Sequence, residues 1–596
     1  MAAQPALVPS PPMHPICSGR IDTFELATQL RVPAGRNATI FTPMSFRREP
    51  CFNGPSATLS NPPPPPLSTL DFTFHRSSEA KPNALVLEAQ AKVCTGPTQT
   101  RPLDEDKAFD VLRTILQSAN GEIHERASGA QLGAFFAAMT IRANSFPPRT
   151  QWSDGERKAM KHFWPSLLHV LPLDVLFIAD PEGTLMEGFP SMGAAFSGRG
   201  PAEMRLVGAL REVLHGGHLG FGEVVGLLRD ILPLDRSCEG PDNVSEALVA
   251  AFLIGQRMNL ENDRELKAYC LAFDDELGQL PVADVASLTH YGEPYDGNTR
   301  FFRSTLFAAA VRASYGEACL LHGALSMPPK LGVTEEQMLK HMGAFTGLPP
   351  IAAAKLLEDE QVGFAYVSQR EARPALHSLV SIREHIKKRP PLATTEKVQQ
   401  FVRATGKEAM VAGFYHEGYR DPLLMLMCRR GASAGLVVKG EEGALSLTTK
   451  EPLTSTPVKG FPLNYCAGFR PSNSFEAYST GKDGVRRETF EMQVNPNDYG
   501  FSSSSTPRVD RVVERNVELG LSALKGEKGP AYDRIILNAA IADHLLGGRG
   551  ASDLLQAIER AKEAVDSGRA LTRLMNYVQS SHLWSKKDAE QISKER

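Results

Sequence analysis

The sequence predicts an α/β protein in which a helical N-terminal domain, either single or duplicated, precedes a domain with a central, mainly parallel sheet. Apolar residues recur at helical spacing from Asp104 onward, which indicates packed amphipathic helices. Beyond Asp284, compact apolar runs of strand length alternate with helical segments, which is typical of a buried parallel sheet. No apolar run approaches the roughly 20 residues of a membrane span, so we expect no contact with a membrane.

The first 103 residues are predicted to be a disordered leader. They contain the run Asn61–Pro66, few acidic residues and no lasting helical periodicity, so they cannot bury enough apolar surface to offset their ordering entropy. Two interpretations stay open. The leader is either a transit peptide for a chloroplast or another organelle, or a plain disordered tail on a cytoplasmic protein.

The overall charge excludes a general attraction to polyanions. The chain has 65 basic and 68 acidic residues and a formal net charge of −3, so nucleic-acid binding would require a local basic patch. The eight cysteines are scattered, without a C-x-x-C pair. This pattern predicts a reducing compartment and no structural zinc.

Two helical units are predicted, at residues 104–180 and 181–283. Leu132–Asn144 and Leu248–Asn259 are both rich in small residues and end in Arg-x-Asn. Each follows an amphipathic segment, Val111–Gln117 in the first unit and Leu206–His215 in the second. We interpret them as two copies of one unit; the alternative is a coincidence between two alanine-rich core helices.

Residues 284–580 are predicted to form the α/β domain, and residues 581–596 a polar tail. Strands are expected at Phe364–Val367, Gly435–Val438 and Arg534–Leu537, because these are short apolar runs. Ser552–Tyr577 has the spacing of a long amphipathic helix.

A glycine-flanked turn, Gly292–Gly297, has the shape of a phosphate-binding loop. Such loops offer backbone N–H groups to the phosphate. Here Pro294 has no N–H to offer. Ser304 and Thr305 follow at the expected start of the next helix, where their hydroxyls could cap the helix and contact a phosphate.

Together these features resemble the anthranilate phosphoribosyltransferase group of glycosyltransferase family 3, from about Asp104 to Val578. Arg534–Ala540 and Ala564–Leu571 are similar to the closing strand and helix of that family. The resemblance implies a fold of the nucleoside-phosphorylase/phosphoribosyltransferase type. It also implies transfer of phosphoribosyl from its pyrophosphate to an aromatic amine, as in tryptophan biosynthesis, with Mg²⁺ if the protein is active, and a homodimer through the helical domain.

The resemblance carries over to individual site residues. The family turn G-T-G-G-D-G is matched only at its first glycine, its aspartate and its last glycine, and the family motif K-H-G-N-R-S is matched in part. In the family the arginine of a later motif holds the anthranilate carboxylate, as a guanidinium can through two hydrogen bonds. The implied substrate-binding residues are Gly292, Asp296, Gly297, Ser304, Thr305, His322, Gly323, Ser326, Lys330 and Arg383.

The family's magnesium carboxylates are missing. Leu445 and Ser446 stand where the family has an adjacent aspartate and glutamate, and leucine offers no oxygen to a hard cation. Glu441 and Glu442 are the remaining candidates for metal ligands.

Two functions therefore stay open. One is a phosphoribosyltransferase with a diverged donor site. The other is a catalytically inactive homologue that binds nucleic acid or another phosphate-bearing ligand, because phrases such as His416–Arg420 resemble a bacterial branch of the family that lacks the carboxylates. The run Arg383–Arg389 could meet phosphates or could be a solvated helix face. A nucleoside phosphorylase, the third interpretation, has no matching phosphate or base motif.

Overall fold

The computed structural model describes residues 77, 81–185, 191–232, 244–450, 461–472, 478–479, 486–548 and 550–595. These residues lie in one unit, Asp71–Arg596. The proline-rich run and the proposed transit peptide lie outside the described residues. Among the helices that are described, none is long and apolar enough to cross a membrane.

Helices form the N-terminal part of the chain, as predicted. They are α1 (Ala84–Val93), α2 (Glu105–Ala119), α3 (Gly129–Asn144), α4 (Asp154–Val170), α5 (Leu173–Ala179), α6 (Pro201–Leu214), α7 (Phe221–Ile231), α8 (Glu246–Asn259) and α9 (Asp263–Leu271). Helix α1 begins at Ala84 and buries Val86 and Val93 in the helical core, so ordered structure starts before the predicted boundary at residue 104.

Helices α3 and α8 pack against each other at the centre of the helical part. Nearly every side chain of both is buried, which explains why they are apolar on all faces. A Cβ atom on Gly133 would lie 2.0 Å from the carbonyl oxygen of Ala247, so this close crossing requires glycine.

Matching hydrogen bonds relate the two halves of the helical part. Glu156 belongs to the N-terminal cap of α4 and accepts the N–H of Leu103 at 3.0 Å, just before α2. Glu265, in the cap of α9, accepts the N–H of Leu219 at 2.8 Å, just before α7. These contacts support the duplication, but they align α2 with α7, whereas the sequence patterns aligned Val111–Gln117 with a segment of α6.

The α/β part contains the remaining elements. Its helices are α10 (Thr305–Ala313), α11 (Glu335–His341), α12 (Pro350–Glu358), α13 (Gln369–Ala372), α14 (Pro374–Ser378), α15 (Val380–Glu384), α16 (Leu392–Thr395), α17 (Arg420–Arg429), α18 (Val513–Leu524), α19 (Pro530–Leu546), α20 (Leu554–Asp566) and α21 (Arg569–Glu595). Its strands are β1 (Val282–Ala283), β2 (Ser287–Gly292), β3 (Ala318–Gly323), β4 (Phe364–Ser368), β5 (Arg403–Ala404), β6 (Lys407–Gly413), β7 (Ala434–Val438), β8 (Tyr465–Pro471), β9 (Tyr478–Ser479) and β10 (Arg486–Gln493).

The central sheet has the strand order β4-β3-β2-β6-β7-β8-β10-β9. Neighbouring strands in the row β4-β3-β2-β6-β7 pair in parallel, and β8, β10 and β9 extend the sheet antiparallel. A separate parallel pair joins β1 and β5. The prediction of a mainly parallel α/β sheet behind a helical part is therefore confirmed.

One predicted strand is wrong. Arg534–Leu537 lies inside helix α19, of which almost every residue is buried. A helix buried on all sides has no polar stripe. Four consecutive residues of it therefore have the same apolar pattern as a buried strand. The helix α21 also continues through the predicted polar tail.

The segment from α14 to α16 lies between the sheet strands β4 and β6 along the chain, but it packs away from the sheet. Leu376, Leu379, Ile382, Ile386 and Leu392 join the same buried cluster as the helices α1 to α9. This segment and the turn that follows it place Arg383, Arg389 and Glu396 at the carboxyl ends of the strands.

Candidate functional site

The predicted site residues gather at the carboxyl ends of the parallel strands. The chain runs from β2 to β3 on one side and later places β6 on the other side of β2. Ligands of open α/β sheets bind at such a reversal of strand order. Gly292 ends β2 there, and a Cβ on it would lie 1.7 Å from the carbonyl oxygen of Lys397, so the segment after α16 crosses directly over the glycine.

The turn after β2 is held by an ion pair. Arg389 donates two hydrogen bonds to the carboxylate of Asp296, at 2.8 Å to Oδ2 and 2.9 Å to Oδ1. Gly297 has a φ of 72° and packs on Gly332, so the last glycine of the turn is needed for conformation. Asp296 therefore fixes the turn through Arg389, a partner that the sequence did not indicate.

A carboxylate of the chain itself lies at the start of helix α10. The hydroxyl of Thr305 donates to Glu293 Oε1, and the N–H of Leu445 donates to Oε2 at 3.3 Å. Glu293 is 1% exposed. The N-terminus of a helix favours an anion, and at α10 a side chain supplies it. The hydroxyls of Ser304 and Thr305 also lie 3.1 and 3.0 Å from the hydroxyl of Ser446.

A buried arginine balances this carboxylate. Arg303 is 1% exposed, and it donates to both carboxylate oxygens of Glu335, at 2.6 Å to Oε2. Its guanidinium also lies 3.8 Å from Glu293. Burial opposes the charged form, but the two carboxylates outweigh it and raise the pKa of Arg303. The position where a phosphate would be expected thus contains a buried network of one arginine and two carboxylates.

His322 forms a hydrogen bond inside the core. Its Nδ1 lies 2.6 Å from the hydroxyl of Tyr295, the residue in the third position after Gly292. Burial, with a smaller effect of His290 and nearby arginines, lowers the pKa of His322 to about 3. The imidazole is therefore neutral near pH 7, and no described group hydrogen-bonds its Nε2.

Arg383 also has an internal partner. It donates to Glu396 at 2.6 Å to Oε1 and 3.3 Å to Oε2, and both side chains are buried. This is the two-point geometry by which a guanidinium holds a carboxylate. The group that the family resemblance assigns to an acceptor carboxylate is therefore already paired with a carboxylate of this chain.

The two candidate metal ligands have other partners. Glu441 accepts hydrogen bonds from Arg534 at 2.9 Å and from Lys450 at 2.8 Å. Glu442 accepts the N–H groups of Thr299, Arg300 and Phe301 at 3.1–3.2 Å and the hydroxyl of Thr299 at 2.6 Å.

The pKa of Glu442 follows from its hydrogen bonds. Burial alone would raise the pKa of the Glu442 carboxyl, but the hydrogen bonds outweigh burial and lower it. Leu445 adds no oxygen, and no group of three His, Cys, Asp or Glu side chains suited to a metal occurs among the described residues. The residues present do not fit a magnesium ion.

The cleft that remains is small. A cavity of about 10 Å³ is bounded by Tyr295, Asp296, Arg383, Arg389, Glu396 and Lys397. This volume is close to the minimum for one water molecule. This cavity has no room for a phosphoribosyl group.

The other predicted residues have different environments. Lys330 donates from Nζ to the carbonyl oxygen of Glu442 at 2.8 Å. Gly323 ends β3, and a Cβ there would lie 3.2 Å from the hydroxyl of Tyr366. Ser326 is exposed. The structure thus brings Gly292, Asp296, Ser304, Thr305, His322, Lys330 and Arg383 to one edge of the sheet and leaves Ser326 at the surface.

The basic run Arg383–Arg389 does not form an open phosphate-binding surface. Arg383 is paired with Glu396, and Arg389 with Asp296. His385 is buried between Ser128 and the carbonyl of Ser77. Only Lys387 of the basic residues in the run is exposed. The sequence could not indicate this, because Asp296, Ser128 and Ser77 come from distant parts of the chain and no local pattern marks Glu396 as a partner.

Glu293, Glu396 and Lys397 were missed as site residues. Glu293 lies within the turn Gly292–Gly297, at a position that does not match the family turn. An acidic residue inside a phosphate-type turn was the available signal. No local signal marked Glu396 or Lys397, which lie in an ordinary polar stretch.

Comparison with known proteins supports the resemblance. No family model matches the chain. It is 27% identical over 378 residues to the anthranilate phosphoribosyltransferase of Aquifex aeolicus, which covers 63% of this chain and 97% of that protein. It is 25% identical over 333 residues to the same enzyme of Thermoanaerobacter sp., covering 56% and 88%.

A solved structure shares the fold. The anthranilate phosphoribosyltransferase of Saccharomyces cerevisiae in complex with PRPP and Mg superposes with a TM-score of 0.50 and 17% identity, covering 64% of this chain and 98% of that one. The chain is thus similar in sequence to anthranilate phosphoribosyltransferases and has the phosphoribosyltransferase-type fold, which confirms the resemblance stated from the motifs.

Proposed function

We propose that this chain is a phosphoribosyltransferase-like protein that does not transfer phosphoribosyl, because its own carboxylates occupy both substrate positions. Glu396 pairs with Arg383 in place of an acceptor carboxylate, and Glu293 lies at the start of α10 in place of a donor phosphate. The observation that carries the proposal is the two-point contact between Arg383 and Glu396.

The missing magnesium ligands support the same conclusion. Transfer from a pyrophosphate donor depends on neutralising the leaving group, which is an electrostatic task. The yeast enzyme binds PRPP with Mg, but here Glu441 and Glu442 are engaged by Arg534 and by backbone N–H groups. Neither described carboxylate is therefore free to hold a metal ion on a leaving pyrophosphate.

Active transfer is the second candidate. Similarity along most of the length of the bacterial enzymes favours it. It would require Glu396 and Glu293 to leave their partners and Asp296 to release Arg389, so that the cleft opens. The substrate would then be an aromatic amine and a phosphoribosyl donor, as in tryptophan biosynthesis.

Binding of a phosphate-bearing ligand belongs to the first candidate. The sequence left open nucleic-acid binding by the run Arg383–Arg389. The pairing of these two arginines with carboxylates argues against such a binding surface. The organellar location and the transit peptide stay predictions. The homodimer also stays one, and the burial of α3 against α8 leaves less of each helix for a second subunit.

Turnover tests the proposal directly. Loss of anthranilate fluorescence is followed with the full-length protein, phosphoribosyl pyrophosphate and magnesium. We expect no loss above a protein-free control, whereas an active family enzyme measured in parallel consumes the anthranilate. Sustained turnover that grows with protein concentration would overturn the proposal.

The double substitution Leu445→Asp/Ser446→Glu sharpens this test. It restores the two carboxylates of the family but leaves Glu396 on Arg383. We expect it to remain inactive, because the acceptor position is still filled. Activity in this variant would show that the metal ligands alone were limiting.

A further inference from the structure

Two groups of four helices in the N-terminal part repeat the same internal packing. The first unit consists of α1 to α4 and the second of α6 to α9. In the first, α1 packs against α2 and α3, and α2 against α4; in the second, α6 packs against α7 and α8, and α7 against α9. This correspondence agrees with the matching cap contacts of Glu156 and Glu265. The helices α3 and α8 therefore hold equivalent places in the two units.

The units meet through these equivalent helices, at equivalent positions. A Cβ on Gly133 would lie 2.0 Å from the carbonyl oxygen of Ala247, and a Cβ on Gly255 would lie 3.5 Å from Cδ1 of Ile141. Gly133 and Ala247 stand eleven and twelve residues before the asparagine that ends their helices. Ile141 and Gly255 stand three and four residues before it. Both contacts thus join nearly the same position of the two helices.

This arrangement defines a local two-fold axis along the helices. Helices that touch at equal positions near both ends run parallel and in register, as the strands of a parallel coiled coil do. A surface that contacts the same surface of a second copy forms an isologous interface, the type found in two-fold symmetric dimers. Repeats stacked in an array would instead each contact only the next copy along the chain, through two different surfaces.

We propose that the first helical unit is a built-in partner of the second, and that their pairing replaces the pairing of two chains, so that the protein is a monomer. Nearly every residue of α3 and α8 is buried, and both helices belong to one apolar cluster. An uncovered α8 would expose a large apolar patch, which soluble proteins cover with a partner. The inference goes beyond the proposed function and does not depend on it.

The covalent connection favours the internal partner. Residues 171–200 join α4 to α6, so the first unit is always close to the second. A connection of this kind gives an effective concentration of roughly millimolar, so at micromolar protein the internal pairing is favoured about a thousandfold over a second chain. The first unit is also fastened to its own chain elsewhere. The N–H of Lys387 donates to Oε1 of Gln90 at 2.9 Å, and Nδ1 of His385 lies 2.7 Å from the hydroxyl of Ser128.

Sedimentation equilibrium tests the inference on the full-length protein. We expect a single mass of 64.9 kDa from about 1 to about 100 µM, because no pairing surface is left on α8. Twice that mass, or a mass that rises towards it with concentration, would overturn the inference.

A substitution at the contact makes the test specific to α8. The side chain of Gly133→Leu has no room beside Ala247 and should displace α3, so that α8 can pair with a second chain. We expect the dissociation constant of the dimer to fall at least about tenfold below that of the wild type. Gly208→Leu is the matched control on α6, where nothing lies within 4 Å of the added Cβ, and it should stay monomeric.

Circular dichroism establishes that both variants keep their helices. A folded Gly133→Leu protein that remains monomeric at every concentration would show that α8 has no tendency to pair, which contradicts the inference. If this variant does not fold, the mass of the wild-type protein still decides the question. None of these outcomes bears on the binding of phosphoribosyl pyrophosphate.

Discussion

Arg383 and Glu396 form a buried, two-point ion pair, 2.6 Å from Nη1 to Oε1 and 3.3 Å from Nη2 to Oε2. In the related enzymes this arginine is expected to bind the acceptor carboxylate. Here the carboxylate is that of Glu396, which follows α16 and lies only 13 residues after Arg383 in the chain. The contact stabilises the segment from α14 to α16 and, under the proposed function, fills the acceptor position at the same time.

Removal of Glu396 should both destabilise the protein and open this position. Glu396→Ala leaves a buried guanidinium unpaired, so we expect the free energy of unfolding to fall by about 3–5 kcal/mol in urea titrations. Benzoate should then raise the melting temperature of the variant but not of the wild type, with about 1.4 kcal/mol of stabilisation at roughly ten times its Kd.

Two variants control this result. Glu371→Ala removes an acid from an exposed pair with Arg370 and should change stability by less than about 1 kcal/mol. Glu396→Gln keeps the shape and one acceptor, and should lose less than the alanine variant. Equal stability of Glu396→Ala and the wild type would contradict the buried pair.

Glu293 should be replaceable by a free anion. Glu293→Ala leaves the hydroxyl of Thr305 and the N–H of Leu445 without their acceptor, which we expect to cost about 1–3 kcal/mol in the free energy of unfolding. Inorganic phosphate should recover part of the loss in the variant, as measured by thermal melting against chloride at equal ionic strength. A variant that melts like the wild type and ignores phosphate would refute this role of Glu293.

Stability should depend on pH through His322. The unfolded chain takes up a proton near pH 6.5, whereas burial lowers the pKa of the folded imidazole to about 3. Stability from this group is complete above pH 6.5 and is lost as the pH falls towards 3, by about 1.4 kcal/mol per pH unit.

The measurement compares variants, because other groups titrate as well. The slope of the unfolding free energy between pH 6 and 4 should be shallower in His322→Gln than in the wild type. The exposed His124→Gln serves as the control and should keep the wild-type slope. Identical slopes in all three proteins would mean that His322 is not buried as a neutral base.

The crossing of α3 and α8 should not tolerate a methyl group. Gly133→Ala would place its Cβ 2.0 Å from the carbonyl oxygen of Ala247, and the required shift of packed helices should cost about 1–3 kcal/mol. Gly208→Ala is the matched control in α6, where nothing lies within 4 Å, and it should stabilise by up to about 1 kcal/mol. Denaturant unfolding of both variants measures the difference, and stabilisation by both would disprove the close crossing.

The fold could be predicted largely from local pattern. The runs at Phe364–Val367 and Gly435–Val438 are strands because they are short, apolar and bounded by turns. Arg534–Leu537 could not be classified this way, since the same composition also suits a helix buried on every face. The position of α14 to α16 in the helical core was equally hidden, because it depends on contacts with residues far away in the chain.

The site could be predicted only in outline. The motifs assigned Gly292, Asp296, Thr305 and His322 to one binding site, and the structure brings them to one edge of the sheet. They gave no indication that Arg389 would hold Asp296, or that Tyr295 would hold His322. Such pairings arise when separate segments fold onto one another, so spacing along the sequence carries no trace of them.

Calorimetric titration tests most directly whether the cleft is closed to its expected substrate. Phosphoribosyl pyrophosphate is titrated into the full-length protein with and without magnesium, beside a family enzyme that binds it. We predict no heat of binding in either titration, because Glu293 and Glu396 hold the anion positions and no carboxylate pair is free for a metal. Saturable, magnesium-dependent heat with about one ligand per chain would contradict the account.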